Sequence, residues 1–233
     1  MLTKLPRWVE VGGFWMASMA GAVNAVGLLG FKHQAVSHLT GTSSLLGVAM
    51  AELDLWSSVS LLLILLAFML GASMSGALID NAVLRLGRRY SVALAIEAGL
   101  LLLAMVLLGR GFYAGHILAS AACGLQNGMV STYSGAVVRT THVTGLFTDL
   151  GTMFGARLRG HPLDRRRVLL YILLIAGFVL GSSVGAYAFE HLQFGALAIP
   201  ATAAFALAVI YWIYWHRERR RERAEAENAH INI

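Results

Sequence analysis

The sequence predicts an all-α membrane protein. Six transmembrane helices form two inverted three-helix repeats, each repeat carrying one short helix that is either re-entrant or interfacial. Three observations predict this: long apolar runs, a one-sided distribution of basic residues, and an internal repeat. Of the 233 residues, 58% are hydrophobic and 13% are charged, against about a quarter charged in ordinary globular chains. A soluble domain of this size has no way to bury that much apolar surface.

A helix needs roughly 20 apolar residues to cross about 30 Å of hydrocarbon. The first run, 9–31, is too long for the core of a signal peptide, and no cleavage site followed by soluble sequence comes after it. It reads as a spanning helix that carries Gly21 and Asn24. Residues 40–51 are apolar but reach only about 18 Å. The runs 57–79 and 91–109 give the second and third spans, with Glu97 early in the third and expected near the headgroups. The run 112–138 is the fourth span and holds Cys123, Gln126 and Asn127. A lone cysteine excludes a disulfide or a cysteine-based metal site within one chain, and no cofactor is expected. A second short segment, 144–156, contains Asp149; the runs 168–189 and 194–215 complete the set. The organisation is a single membrane domain over 1–215, with repeats at about 9–109 and 112–215, followed by a basic cytoplasmic tail at 216–233.

Charge orients the helices. With the N-terminus inside and one crossing per run, all but two of the 18 Lys and Arg residues fall on one side; Lys32 and Arg110 are the exceptions. Such asymmetry follows the positive-inside rule. It predicts both termini in the cytoplasm and residence in a bacterial inner (plasma) membrane. The net charge of +6 is therefore assigned to topology and anionic lipid, not to nucleic acid. The lipid bilayer is the expected partner, and a homo-oligomer is compatible with the pattern.

The repeat is visible in three ordered blocks. Gly21-Ala22-Val23-Asn24 matches Gly124-Leu125-Gln126-Asn127; Ser37-His38-Leu39-Thr40-Gly41 matches Thr141-His142-Val143-Thr144-Gly145; Leu70-Gly71-Ala72-Ser73 matches Leu180-Gly181-Ser182-Ser183. A carboxylate follows each third block, Asp80 and Glu190. A displacement of three spans reverses direction across the bilayer, the plan common in secondary transporters.

The short segments begin with Thr-Gly and are rich in small residues. If re-entrant, their N-termini carry free N–H groups and partial positive charge toward the bilayer centre, where non-helical backbone is tolerated only in protein or lining a cavity. Two facing termini make a site for an anion or a polar solute. The candidates are Thr40, Gly41, Thr42 and Ser43 with Thr144, Gly145 and Thr148; the alternative is that the threonines cap and the glycines pack. Asn24, Gln126 and Asn127 either bind solute or join helices by hydrogen bonds worth about 0.6 kcal/mol each. His38 and His142 are proton-coupling candidates because histidine titrates near neutral pH; a solvated loop position is the alternative. Asp149 is a third, since a carboxylate in a membrane segment is a functional candidate by default. Its alternatives are a pair with an Arg, such as Arg139 or Arg157, and an interfacial position.

The loop Gly76-Ala77-Leu78-Ile79-Asp80 and then Gly87-Arg88-Arg89 resembles the cytoplasmic loop signature of the major facilitator superfamily, with extra residues inserted. The wider pattern resembles the YoaK family of uncharacterised bacterial membrane proteins. It is carried by Ser37-His38-Leu39-Thr40-Gly41, Gly124-Leu125-Gln126-Asn127 and Thr140-Thr141-His142-Val143-Thr144-Gly145, and spans about residues 10–215. The resemblance implies a multispanning membrane protein with no settled activity. It also implies an Asp where this chain has Asn24 and an Asn where it has Thr42. No enzyme motif is present, and no enzymatic activity is expected. The leading expectation is a small-solute transporter or channel with its site between the halves. The alternative is a non-transporting scaffold or accessory subunit, recognisable by a dry, sealed interior.

Overall fold

A computed structural model describes residues 8–30, 33–79, 88–134 and 138–231. The regular elements among the described residues are all helices: α1 (Trp8–Leu29), α2 (Leu39–Ala51), α3 (Leu55–Leu78), α4 (Arg88–Gly109), α5 (Ala114–Ser134), α6 (Val143–Leu158), α7 (Arg165–Leu192) and α8 (Ala198–Ile231), with a 3-10 turn at Gln193–Leu197 before α8. The segments Val9–Leu29, Leu55–Leu78, Arg88–Gly109 and Arg165–Arg217 are long and apolar enough to cross a membrane. The last contains both α7 and most of α8. These helices make the chain a membrane protein. The run expected at 112–138 is α5, which carries His116, Ser120, Gln126 and Asn127 and is not among these four segments. The Asp80–Gly87 part of the loop signature lies outside the described residues.

Helix boundaries follow local chemistry. α3 and α7 each start at an aspartate whose carboxylate accepts a first-turn N–H: Asp54 from Ser57 at 3.0 Å and Asp164 from Arg167 at 3.1 Å. Such caps satisfy one of the donors that a helix start leaves open. Each capping aspartate comes shortly after a short helix, α2 or α6, so the turn back into the bundle is specified locally in both places. Left-handed residues make these turns, Leu53 at φ 57° and Gly160 at φ 92°.

Packing joins the first half of the chain to the second. α1 lies chiefly on α7, α3 on α5, and α4 on α8 and α5. Both of the first two pairs run parallel. Along one, Gly13 meets Leu174, Ser18 meets Gly181 and Ala22 meets Gly185; along the other, Ser120 Oγ donates to the Ile64 carbonyl at 2.9 Å, Gly124 meets Phe68 and Gly128 meets Ser75. Four repeat-matched glycines are among those that allow this approach. A Cβ on Gly21 would collide with the Phe178 carbonyl oxygen and one on Gly181 with that of Ser18. In the second pair, a Cβ on Gly124 would meet the Phe68 carbonyl oxygen and one on Gly71 that of Ala121. Small residues let helix backbones approach closely where lipid offers no hydrophobic drive to association.

The ends of the two pairs are tied differently. Arg166 Nε donates to Glu10 Oε1 at 2.7 Å where α1 and α7 begin. At the start of α5, the Tyr113 hydroxyl lies 2.8 Å from both the Ser60 carbonyl oxygen and Gln34 Oε1. Glu97, expected near the headgroups, is buried against neighbouring helices, and its Oε2 has no hydrogen-bond partner among the described residues. Its position one helical face away from the lipid explains the difference: α4 is covered by α5 and α8 along that stripe.

Gly71→Ala and Gly181→Ala should each cost about 1–3 kcal/mol through overpacking against a backbone that has nowhere to move. Gly99→Ala, which meets open space, should stay within about 0.5 kcal/mol of the parent. Thermal unfolding of the detergent-purified variants measures the difference; equal midpoints for all three would refute the close-approach account.

Candidate functional site

The site begins with two amides. Asn24 Oδ1 in α1 accepts from the Ser37 backbone N–H at 3.1 Å and from Ser37 Oγ at 2.9 Å. Asn127 Oδ1 in α5 accepts from the Thr140 N–H at 3.1 Å and from Thr140 Oγ1 at 3.4 Å. Each amide thus holds a residue that comes 13 positions later. The consequence is geometric. After leaving α1, the chain returns to a point five residues below its end, about 7–8 Å at 1.5 Å per residue. After α5 it returns to a point seven residues below that helix's end, about 10–11 Å. α2 and α6 therefore begin alongside the long helices and run back toward the end at which α3 or α7 starts.

This pairing corrects the alignment of the repeat. The partner of Ser37 is Thr140, whereas His38 still corresponds to His142. Thr141 is one extra residue between the anchor and the helix start in the second half.

The helix starts themselves match. His38 and His142 occupy the N-cap positions at φ −94° and −95°, and neither side chain caps its helix. The first intrahelical-type bonds run from the Thr42 N–H to the His38 carbonyl and from the Leu146 N–H to the His142 carbonyl, both at 3.2 Å. The preceding N–H groups, those of residues 39–41 and 143–145, have no backbone partner among the described residues. The imidazoles fold over the first turns. A Cβ on Gly41 would come 2.7 Å from His38 Nδ1, and one on Gly145 would strike the His142 ring. These two glycines therefore make room for the rings.

Both helix starts open on one cavity of about 520 Å³. Asn24, His38, Thr40 and Phe68 line it from the first half, and Asn127, Arg139, Thr141, His142, Thr144 and Phe178 from the second. Almost every contributor has its counterpart: the asparagines, the histidines, the threonines and the phenylalanines. Asn24 is only 5% exposed, while His38, Thr40, Arg139, His142 and Thr144 are exposed, so the cavity is open at its side. It is large enough for on the order of ten waters.

The remaining sequence candidates fall outside this lining. Gln126 is buried, and its Nε2 donates to the Met16 carbonyl at 2.8 Å, which makes it a tie between α5 and α1. Thr42 is buried, with Oγ1 at 3.2 Å from the carbonyl oxygens of both Ala35 and His38, and so braces the start of α2. Thr148 bonds back to the Thr144 carbonyl at 3.0 Å. Ser43 is exposed on α2. Asp149 is exposed on α6, with its carboxylate toward Tyr171 of α7. The helix turns it away because Leu146 and Leu150 supply the buried stripe.

Sequence reasoning missed Arg139 and the two phenylalanines. Arg139 was counted as a topology anchor, yet it lines the cavity, and no carboxylate among the described residues pairs with it. Its counterpart in the first half is Val36, so the repeat itself carried no signal. Phe68 and Phe178 sit beside the glycine blocks already noticed, and that shared spacing was the available signal.

Comparison with known proteins adds a family. A family model described as a protein of unknown function (DUF1275) matches residues 12–210. That stretch takes in every residue of the cavity lining, and an uncharacterised family is what the resemblance to the YoaK family implies. No curated protein and no solved structure matches the chain.

The convergence of the two helix starts is directly testable. Cys123 is the only cysteine and is buried. A Thr40→Cys, Thr144→Cys double variant should be cross-linked within one chain by a short bis-thiol reagent in native membranes, whereas Ser43→Cys with Phe154→Cys should not. Equal cross-linking of the two pairs would show that the helix starts do not share a cavity.

Proposed function

The chain belongs to the DUF1275 family of proteins of unknown function, and we propose that it is a small-solute transporter or channel whose binding site is the cavity between its two halves. One observation carries this reading: polar groups from both halves meet in one open cavity. A scaffold has no use for such a space, and a dry interior would have favoured that alternative. Ligand sites at the interface of structural repeats, built where helices are interrupted, are the transporter plan.

Six crossings and inverted halves belong to the same proposal. The parallel packing of α1 on α7 and of α3 on α5 supports them, because odd-numbered crossings share a direction, as do even-numbered ones. α5 completes the six as an interior helix whose polar residues face protein. The matched Asn–Ser and Asn–Thr anchors, the paired aspartate caps and the four colliding glycines support an inverted repeat. In this topology α2 and α6 are re-entrant from opposite sides, with both termini in the cytoplasm. His38 and His142 remain as proton-coupling candidates because they line the cavity; Asp149 is dropped.

Two measurements test the reading. Reporter fusions after Arg88, at Arg165 and at the C-terminus should all report the cytoplasm; a periplasmic signal at any one refutes the six-span topology. Purified protein in liposomes, screened with inorganic anions, inorganic cations, sugars and amino acids, should carry at least one solute faster than empty vesicles. Thr144→Trp, which fills the cavity, should abolish that flux. Absence of flux for every class, or undiminished flux in the variant, refutes transport through this cavity.

A further inference from the structure

The chemistry of the lining narrows the solute, and the narrowing rests on the transport reading above. Both asparagine oxygens are consumed by the anchors to Ser37 and Thr140. Because a backbone N–H donates to each, the amide orientation is fixed: only oxygen can accept there. The Nδ2 groups are left over. Asn24 is 5% exposed, lines the cavity, and its Nδ2 has no hydrogen-bond partner among the described residues. A buried amide with two unused donors facing a cavity calls for an acceptor in that cavity.

The other contributors have the same sense. Two helix starts, on helices of 13 and 16 residues, add N–H groups and the positive ends of their dipoles. Neither is closed by a side-chain cap. Arg139 brings a full positive charge that the described residues do not balance, and no carboxylate is among the lining residues. Hydroxyls of Thr40, Thr141 and Thr144 can donate to whatever sits between them. The site thus supplies donors and positive potential and withholds negative charge.

We propose that the cavity binds a small inorganic anion, partly hydrated, between the Asn24 and Asn127 amides, the two helix starts and Arg139. A metal cation finds no anionic ligand there. A neutral solute such as a sugar would find only hydroxyl and imidazole acceptors, because the anchors occupy both amide oxygens. Phe68 and Phe178 add apolar surface to the lining.

The test uses the intact protein purified in detergent. Sodium nitrate, sulfate, phosphate and chloride are titrated separately at constant ionic strength, and binding is read by calorimetry and by the rise in unfolding temperature that a native-state ligand produces. Saturable binding of at least one anion is expected. Arg139→Gln should weaken it by roughly tenfold or more, the size of a lost charge-assisted hydrogen bond. Asn24→Asp keeps the acceptor for Ser37 but replaces the free donors by negative charge, and should weaken binding at least as much. Ser183→Ala, on the exposed side of α7, should bind as the parent does. No saturable binding of any of the four anions, or binding unchanged in both Arg139→Gln and Asn24→Asp, overturns the proposal. Anion binding without flux of any solute would refute transport and leave the anion site standing. Flux of a neutral or cationic solute without anion binding would refute the anion site and leave transport standing.

Discussion

The structure depends on backbone-to-backbone contact between helices from opposite halves of the chain. At Gly21, Gly71, Gly124 and Gly181 no side chain fits, because a neighbouring carbonyl oxygen already occupies the place of a Cβ. In a lipid environment the helices gain nothing by hiding apolar surface from one another, so association has to come from close packing and hydrogen bonds. The glycines supply the first. Ser120 on the Ile64 carbonyl, Ser182 on the Gly21 carbonyl and Gln126 on the Met16 carbonyl supply the second. With α1 locked to α7 and α3 to α5, neither half closes on itself. Each completes the other, and the space left between them is the cavity.

The same packing positions the polar groups. Phe68 and Phe178 present their carbonyls to Gly124 and Gly21 while their rings border the cavity. One turn further along α1 and α5, Asn24 and Asn127 capture the returning chain. An amide in this position does two things at once. Its oxygen ends the excursion of the loop and sets where the short helix begins, and its nitrogen is left pointing into the open space. Fold and candidate site are therefore not separable at these residues. The departures from the pattern implied by the YoaK resemblance fall here too. Asn24 stands where a carboxylate is expected, yet its oxygen keeps the acceptor role, and Thr42 serves as an internal brace. Neither removes the site; the first changes its charge.

Some candidates were right in kind and wrong in place. Gln126 and Asn127 are adjacent, and only one can face the cavity, because successive residues on a helix point about 100° apart. Asp149 lies on a short apolar helix whose buried stripe is narrow, and its carboxylate faces Tyr171 of α7 instead of the cavity. Glu97 shows the same limit: its nearness to the start of an apolar run speaks only of depth, while the stripe on which it lies is covered by neighbouring helices. In each case sequence position gave depth along the helix and left rotation about its axis open.

By itself the sequence determined the helical class, the membrane setting, the apolar runs and the existence of a repeat. Composition, run length and local motif are properties of neighbouring residues, and each has a physical consequence that needs no tertiary contact. It also determined which residue types would meet at the helix starts, because His-x-Thr-Gly recurs in both halves. The tertiary structure alone decided which of them share a cavity. It shifted the match of Ser37 from Thr141 to Thr140, brought Arg139 in from its assumed place among the topology anchors, and turned Gln126, Thr42 and Asp149 away. Those outcomes rest on helix rotation and on hydrogen bonds between segments far apart in the chain. A one-residue insertion such as Thr141 leaves a linear motif readable while it rotates everything upstream of it, and only the folded contact between Asn127 and Thr140 reveals the difference.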